Sequence, residues 1–91
     1  RIEDMIEYFD FVNNKYPAGN FKNEIFTKFI SVLYNYGNSD KNNERRAYFF
    51  LYIAKAFKIL GNQAESQKYL NEAKKNFPSL KKISEFERGI L

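Results

Sequence analysis

Apolar residues return every third or fourth position along almost the whole chain, the rhythm of helices with one buried side. Ile2, Met5, Ile6, Phe9 and Val12 carry it over residues 2–15. Tyr16-Pro17-Ala18-Gly19-Asn20 then breaks it, because proline cannot continue a helix and glycine accepts a reversing backbone. A second helix is predicted over 21–36, with Ile25, Phe26, Phe29, Ile30 and Leu33 on its buried side and a stop at Gly37-Asn38. The polar stretch 39–43 follows as the longest loop. A third helix is predicted over 44–60 and a fourth over 62–76, parted at Gly61-Asn62 and closed by Pro78. Ser79 stands where it would cap a fifth helix, 80–90, whose apolar positions are Leu80, Ile83, Phe86 and Ile90. No segment alternates with period two, so strands are a poor fit and the chain reads as all-α.

The chain also echoes itself. "YFDFVNNKYP" (8–17) lines up with "YLNEAKKNFP" (69–78), aromatic for aromatic and proline for proline, 61 residues apart. Internal similarity at such spacing signals helix pairs that cannot bury their own faces alone. The second copy belongs to a hairpin with Phe50, Ile53, Ala54 and Phe57 before Gly61, and Ser66, Leu70, Ala73 and Pro78 after it. Small residues at Ala54, Ser66 and Ala73 let two helices approach closely, while Phe50, Phe57, Tyr69 and Leu70 fill the space around them.

That order resembles the tetratricopeptide repeat (TPR), a helical hairpin of about 34 residues with the pattern W-x2-L-G-x2-Y…A-x3-F…P. Phe50 takes the place of the Trp, Ala54 that of the Gly, and Ser66 and Leu70 those of the Ala and Phe. The match is clearest over 47–78. Residues 5–17, with Met5, Phe9, Val12 and Pro17, resemble the second helix of an earlier repeat. The middle departs from the family: two repeats would set the prolines about 68 apart, and 21–43 holds one helix and a loop where two helices are expected. The resemblance implies a single degenerate TPR-like domain over 1–91, built of stacked antiparallel hairpins. It also implies a scaffold for protein–protein interaction.

Composition narrows the chemistry. With 91 residues, 44% apolar and 29% charged, the chain suits one folded domain. It has no Cys, so packing alone must close its core and no thiolate metal site exists. It has no His either, which removes the commonest general base and metal ligand. The carboxylate pairs Glu3/Glu7 and Asp4/Glu7 lie at a helix start, where they answer the positive end of the dipole. "NSDKNNE" (38–44) is superficially like a calcium loop but lacks the turn glycine, and Phe49 stands where the bidentate carboxylate belongs. Neither catalytic, cofactor-binding nor metal residues are expected, nor a small-molecule substrate. The net charge of +4 comes from dispersed lysines with acids close by, which is ordinary surface. Two alternatives remain: a basic nucleic-acid-binding domain using Lys55, Lys58, Lys74, Lys75, Lys81 and Lys82, or a structural bundle of a larger protein. No apolar run approaches the ~18 residues of a membrane span. The chain starts at Arg1 already in helical rhythm, and it reads as a segment of something longer.

The third helix carries the binding expectation. Phe49, Phe50, Ile53, Ala54, Phe57 and Leu60 occupy one broad side. Tyr48, Leu51, Tyr52, Lys55, Lys58 and Ile59 occupy the other, which is too apolar for a side facing only water. Either that side packs beneath the second helix or it is a recognition surface. The resemblance implies the latter, since the first helix of each TPR hairpin lines a groove. Tyr, Leu and Lys together suit a peptide with apolar anchors and some acidic character. One family variant clamps a C-terminal carboxylate, but Leu51 and Lys55 stand where it would need Lys and Asn, so no clamp is expected. Ile2, Met5 and Ile6 at one end and Gly89-Ile90-Leu91 at the other lack polar caps, which points to contact with a partner or to a homodimer through these ends. The endings Tyr16-Pro17 and Phe77-Pro78 resemble those of bacterial envelope-assembly repeat proteins, which implies a periplasmic or cell-envelope location.

Overall fold

A computed structural model describes every residue from Arg1 to Leu91. It is all-helical, with five helices in an array measuring 33 × 25 × 21 Å. These are α1 (Ile2–Lys15), α2 (Asn20–Ser39), α3 (Asn43–Ile59), α4 (Gln63–Asn76) and α5 (Lys81–Glu87). All five expected helices are present, and most ends fall within a residue or two of the sequence reading. No helix is long and apolar enough to cross a membrane.

The turn between α3 and α4 follows from local chemistry. Gly61 adopts φ +82°, and its N–H donates to the Lys58 carbonyl while the Asn62 N–H reaches the Phe57 carbonyl. This paired closure satisfies carbonyls that the end of α3 would otherwise leave open. The Asn62 side chain then accepts the Glu65 N–H at 3.1 Å and starts α4. At the next turn, between α4 and α5, the fold departs from expectation. Ser79 does not cap α5; the cap position is the buried Leu80, and no side chain bonds there. The helix also stops at Glu87, which leaves Ile90 beyond it and 64% exposed.

A second correction concerns Gly37. It does not stop α2, which runs through it to Ser39. A Cβ on Gly37 would sit 3.0 Å from the Phe50 ring, so the missing side chain serves the close approach of α2 and α3. The α2–α3 connection is therefore only Asp40–Asn42, and it is firmly tied. Asp40 accepts the Asn42 N–H at 2.8 Å and takes a two-pronged contact from Arg45 at 2.7 and 3.0 Å. Arg45 holds the Asp40 carboxyl below its ordinary range. Asn42 in turn accepts the Arg45 N–H and caps α3.

α3 is the hub. Leu51, Tyr52, Ile53 and Ala54 are consecutive and each is at most 1% exposed, so the helix is covered all round. On one side lies α4, whose Ser66 hydroxyl donates to the Ala54 carbonyl at 2.8 Å. There Tyr69 stacks on Phe57 and Phe50 with ring centroids 5.7 and 6.2 Å apart. From α1, Phe9 meets the Tyr52 ring edge-on at 5.1 Å, and from α5, Phe86 lies beneath the Lys58 ammonium. α4 also touches α2 through Tyr34 and Tyr69, and α5 touches α4 through Lys74 and Glu87 at 2.6 Å. From α3 onward each helix packs on the two before it.

The internal echo survives in burial but not in pairing. α1 and α4 are both 14 residues long, and Phe9 and Val12 are buried as Leu70 and Ala73 are. α4, however, lays Tyr69 against α3, the helix before it, whereas α1 lays Tyr8 against Phe29 of α2, the helix after it. Within residues 1–91 the partner of α1 is thus the helix that follows it.

Candidate functional site

The six expected partner-binding residues do not form an open face. Leu51 and Tyr52 are fully inside, while Tyr48, Lys55 and Ile59 are half-buried and only Lys58 is exposed. The physical reason is that side chains of α1 and α5 lie over this flank. Phe9 caps Tyr52, and Lys55 lies 5.1 Å over the Phe9 ring and 3.7 Å from Asp10. Burial pushes the Lys55 ammonium below its ordinary pKa, and Asp10 works against that shift. Burial likewise raises the phenols of Tyr52 and Tyr48, helped by Asp10 at the first and Glu44 at the second. Lys55 is thus held between the Phe9 and Tyr52 rings and the half-exposed Asp10 carboxylate.

The other expected surfaces shrink as well. Met5, Ile6 and Leu91 pack against the core, so the supposedly bare ends reduce mainly to Ile90. Of the six lysines considered for nucleic acid, Lys55, Lys74 and Lys82 face Asp10, Glu87 and Glu85, and Lys58 sits over Phe86. Lys22, which looked like dispersed surface charge, is buried and donates to the Asn13 carbonyl at 2.7 Å, closing the C-terminus of α1.

Besides Phe11 and Tyr34, which are exposed elsewhere, the fold leaves in water one side of α2. Phe21, Val32 and Tyr36 are 61%, 45% and 56% exposed, with half-buried Ile25 and Phe29 between them. Positions 21, 25, 29, 32 and 36 fall on one helical stripe beside the buried seam of Lys22, Phe26, Leu33 and Gly37. Tyr8 of α1, half exposed, extends the stripe at Phe29. Tyr8, Ile25, Lys28, Phe29 and Val32 line a shallow hollow of about 310 Å³. Lys28, on its rim, pairs with Glu24 at 3.5 Å. Ile25 and Phe29, expected on the buried side of α2, do pack against the core while staying half-buried, whereas Phe21, Val32 and Tyr36 carry no binding expectation from the sequence. The available signal was the width of the apolar arc on this helix, which exceeds what one seam can cover.

No protein-family model, curated protein or solved structure matches this chain.

Proposed function

We propose that the chain is a non-catalytic, TPR-like protein-interaction module that receives a protein partner on the outer stripe of α1 and α2. The observation that carries this reading is the row of Tyr8, Phe21, Val32 and Tyr36 left in water around a shallow apolar hollow. Contiguous apolar patches of this kind on a small domain mark interaction sites, and aromatic anchors contribute most of the binding energy in such contacts. The TPR-like part of the reading is supported by the α3–α4 hairpin. Its turn sits at Gly61, its seam holds Ala54, Ser66 and Ala73, and helices stack on the two before them. In this arrangement α3 is a strut that holds the α1–α2 hairpin in place, and its Leu51–Tyr52 flank is not the gripping face.

Substituting Val32→Glu places a charge in the centre of the stripe at a side chain already 45% exposed, so helicity by circular dichroism stays at the wild-type level. Partner capture from the native lysate then weakens at least about tenfold, or about 1.4 kcal/mol. Lys58→Glu, on the residual edge of the α3 flank, leaves capture unchanged. The reverse pattern returns the contact to α3 and removes the stripe from consideration.

A further inference from the structure

The stripe on α2 has a symmetry of its own. Phe21 and Tyr36 lie equally far from a midpoint between Lys28 and Phe29, and so do Ile25 and Val32. Read from either end, the order is aromatic, branched aliphatic, aromatic, branched aliphatic, aromatic. A surface that meets a copy of itself across a two-fold axis must be self-complementary in this way, with each residue facing the mirror position of its partner. We infer that the occupant of this stripe is a second copy of the same chain, its α2 lying antiparallel on the first. This rests on the reading of the stripe as a docking surface and names its partner.

In that arrangement Phe21 meets Tyr36 of the second copy, Ile25 meets its Val32, and the two Phe29 rings face each other at the axis with Tyr8 beside them. Ring–ring contact at the centre and aliphatic contact on either side give the alternation of bulk that interdigitates. The stripe spans about 22 Å at 1.5 Å per residue. Its charges lie on one rim only. There the order becomes Glu24, Lys28, Lys28, Glu24, so each exposed central ammonium keeps its own carboxylate on the outer side. An aromatic side chain carries about 150–250 Å²; about half of Tyr8, Phe21 and Tyr36 is open, and less of Phe29. The stripe and Tyr8 therefore offer on the order of 500 Å² per copy. Pairing removes at most on the order of 1,000 Å² in total, below the about 1,200–2,000 Å² of stable interfaces and in the range of weak, transient ones.

Sedimentation equilibrium of the purified chain over a concentration series tests this. The weight-average mass is expected to climb from 10.9 kDa towards twice that value. Val32→Glu should weaken the association at least about tenfold at unchanged helicity, and Ile90→Glu, at the exposed chain end, should leave it alone. Orientation is read by mixing Phe21→Cys chains with Tyr36→Cys chains under mild oxidation. The antiparallel pair links the mixture into covalent dimers and links neither variant by itself; linking of either variant alone overturns the two-fold register. A chain that stays single at every concentration overturns self-pairing. If Val32→Glu still weakens capture of a different protein in that case, the stripe remains a docking surface with another occupant. Association that Ile90→Glu breaks and Val32→Glu spares overturns both.

Discussion

Ala54, Ser66 and Ala73 line the seam between α3 and α4, whereas Phe9, Phe26 and Phe29 line the one between α1 and α2. In the first seam the backbones come close enough for the Ser66 hydroxyl of one helix to reach the Ala54 carbonyl of the other. In the second the backbones stand off, and rings with centroids 4.9 and 5.7 Å apart fill the gap. The first seam uses small residues at the close approach, with Tyr69 stacked on Phe57 and Phe50 beside them, whereas the second is filled by rings throughout. The wide seam also has a consequence at the surface. Its aromatic surplus does not end at the core; Phe29 and Tyr8 belong to the seam and to the exposed stripe at once. The wide half therefore both holds α1 and carries the exposed stripe proposed above as a docking side.

Removing a ring from the wide seam should do the greatest damage. Phe9 is fully buried and touches Phe26, Phe29 and Tyr52 while lying beneath Lys55. Phe9→Ala is expected to cost about 3–5 kcal/mol, a large part of the about 5–15 kcal/mol that holds such a domain together. Urea unfolding midpoints read the loss. A cost below about 1 kcal/mol would mean that α1 is not anchored through this ring. The tight seam should respond to the opposite change. Ala54→Leu forces extra methylenes between α3 and α4 where Ser66 already makes contact, and about 1–3 kcal/mol should be lost. If Ala54→Leu were neutral in the same assay, the two seams would not differ in the way their residues imply.

The difference between the seams also explains what was legible. The α3–α4 hairpin could be read because its instructions are local: Gly61 at the reversal, Asn62 as cap and small residues at helical spacing. Gly37 could not, because its reason is the Phe50 ring, thirteen positions along the chain and on another helix. The flank of α3 was ambiguous for a related cause. A helix apolar on every side announces that it will be covered, but not by which neighbours. For Leu51 and Tyr52 the pattern allows either packing or a groove, and the structure places both in the core, with Tyr52 under Phe9 of α1. The same packing decided the site. With Phe9 of α1 packed against Phe26 and Tyr52, the arc of α2 that carries Phe21, Val32 and Tyr36 was left outside.

The smallest effect at neutral pH, and the sharpest probe of how α1 seals α3, comes from Tyr52. Its ring is 1% exposed beneath Phe9, and burial first, then Asp10, Tyr48 and Glu85, keep the phenol protonated well above its ordinary range. In the unfolded chain the same group ionises near about 10. Below that value both states hold the proton and the group contributes no pH dependence. Above it the folded chain holds one more proton than the unfolded, so stability falls as pH rises, by up to about 1.4 kcal/mol per unit from this residue. Lys55 acts in the opposite sense, because its pKa is lowered in the fold and alkali relieves the penalty on its buried charge. Tyr48 and Tyr69, both shifted upward by burial, add to the alkaline loss. Tyr52→Phe keeps the ring and leaves those three groups in place, so the difference between the two proteins isolates one phenol. Their stabilities should agree within about 1 kcal/mol at pH 7 and then diverge above pH 10, with the phenylalanine variant losing less. Parallel alkaline limbs would mean that water reaches Tyr52, and that α1 does not close over α3 as tightly as the Phe9 contact requires.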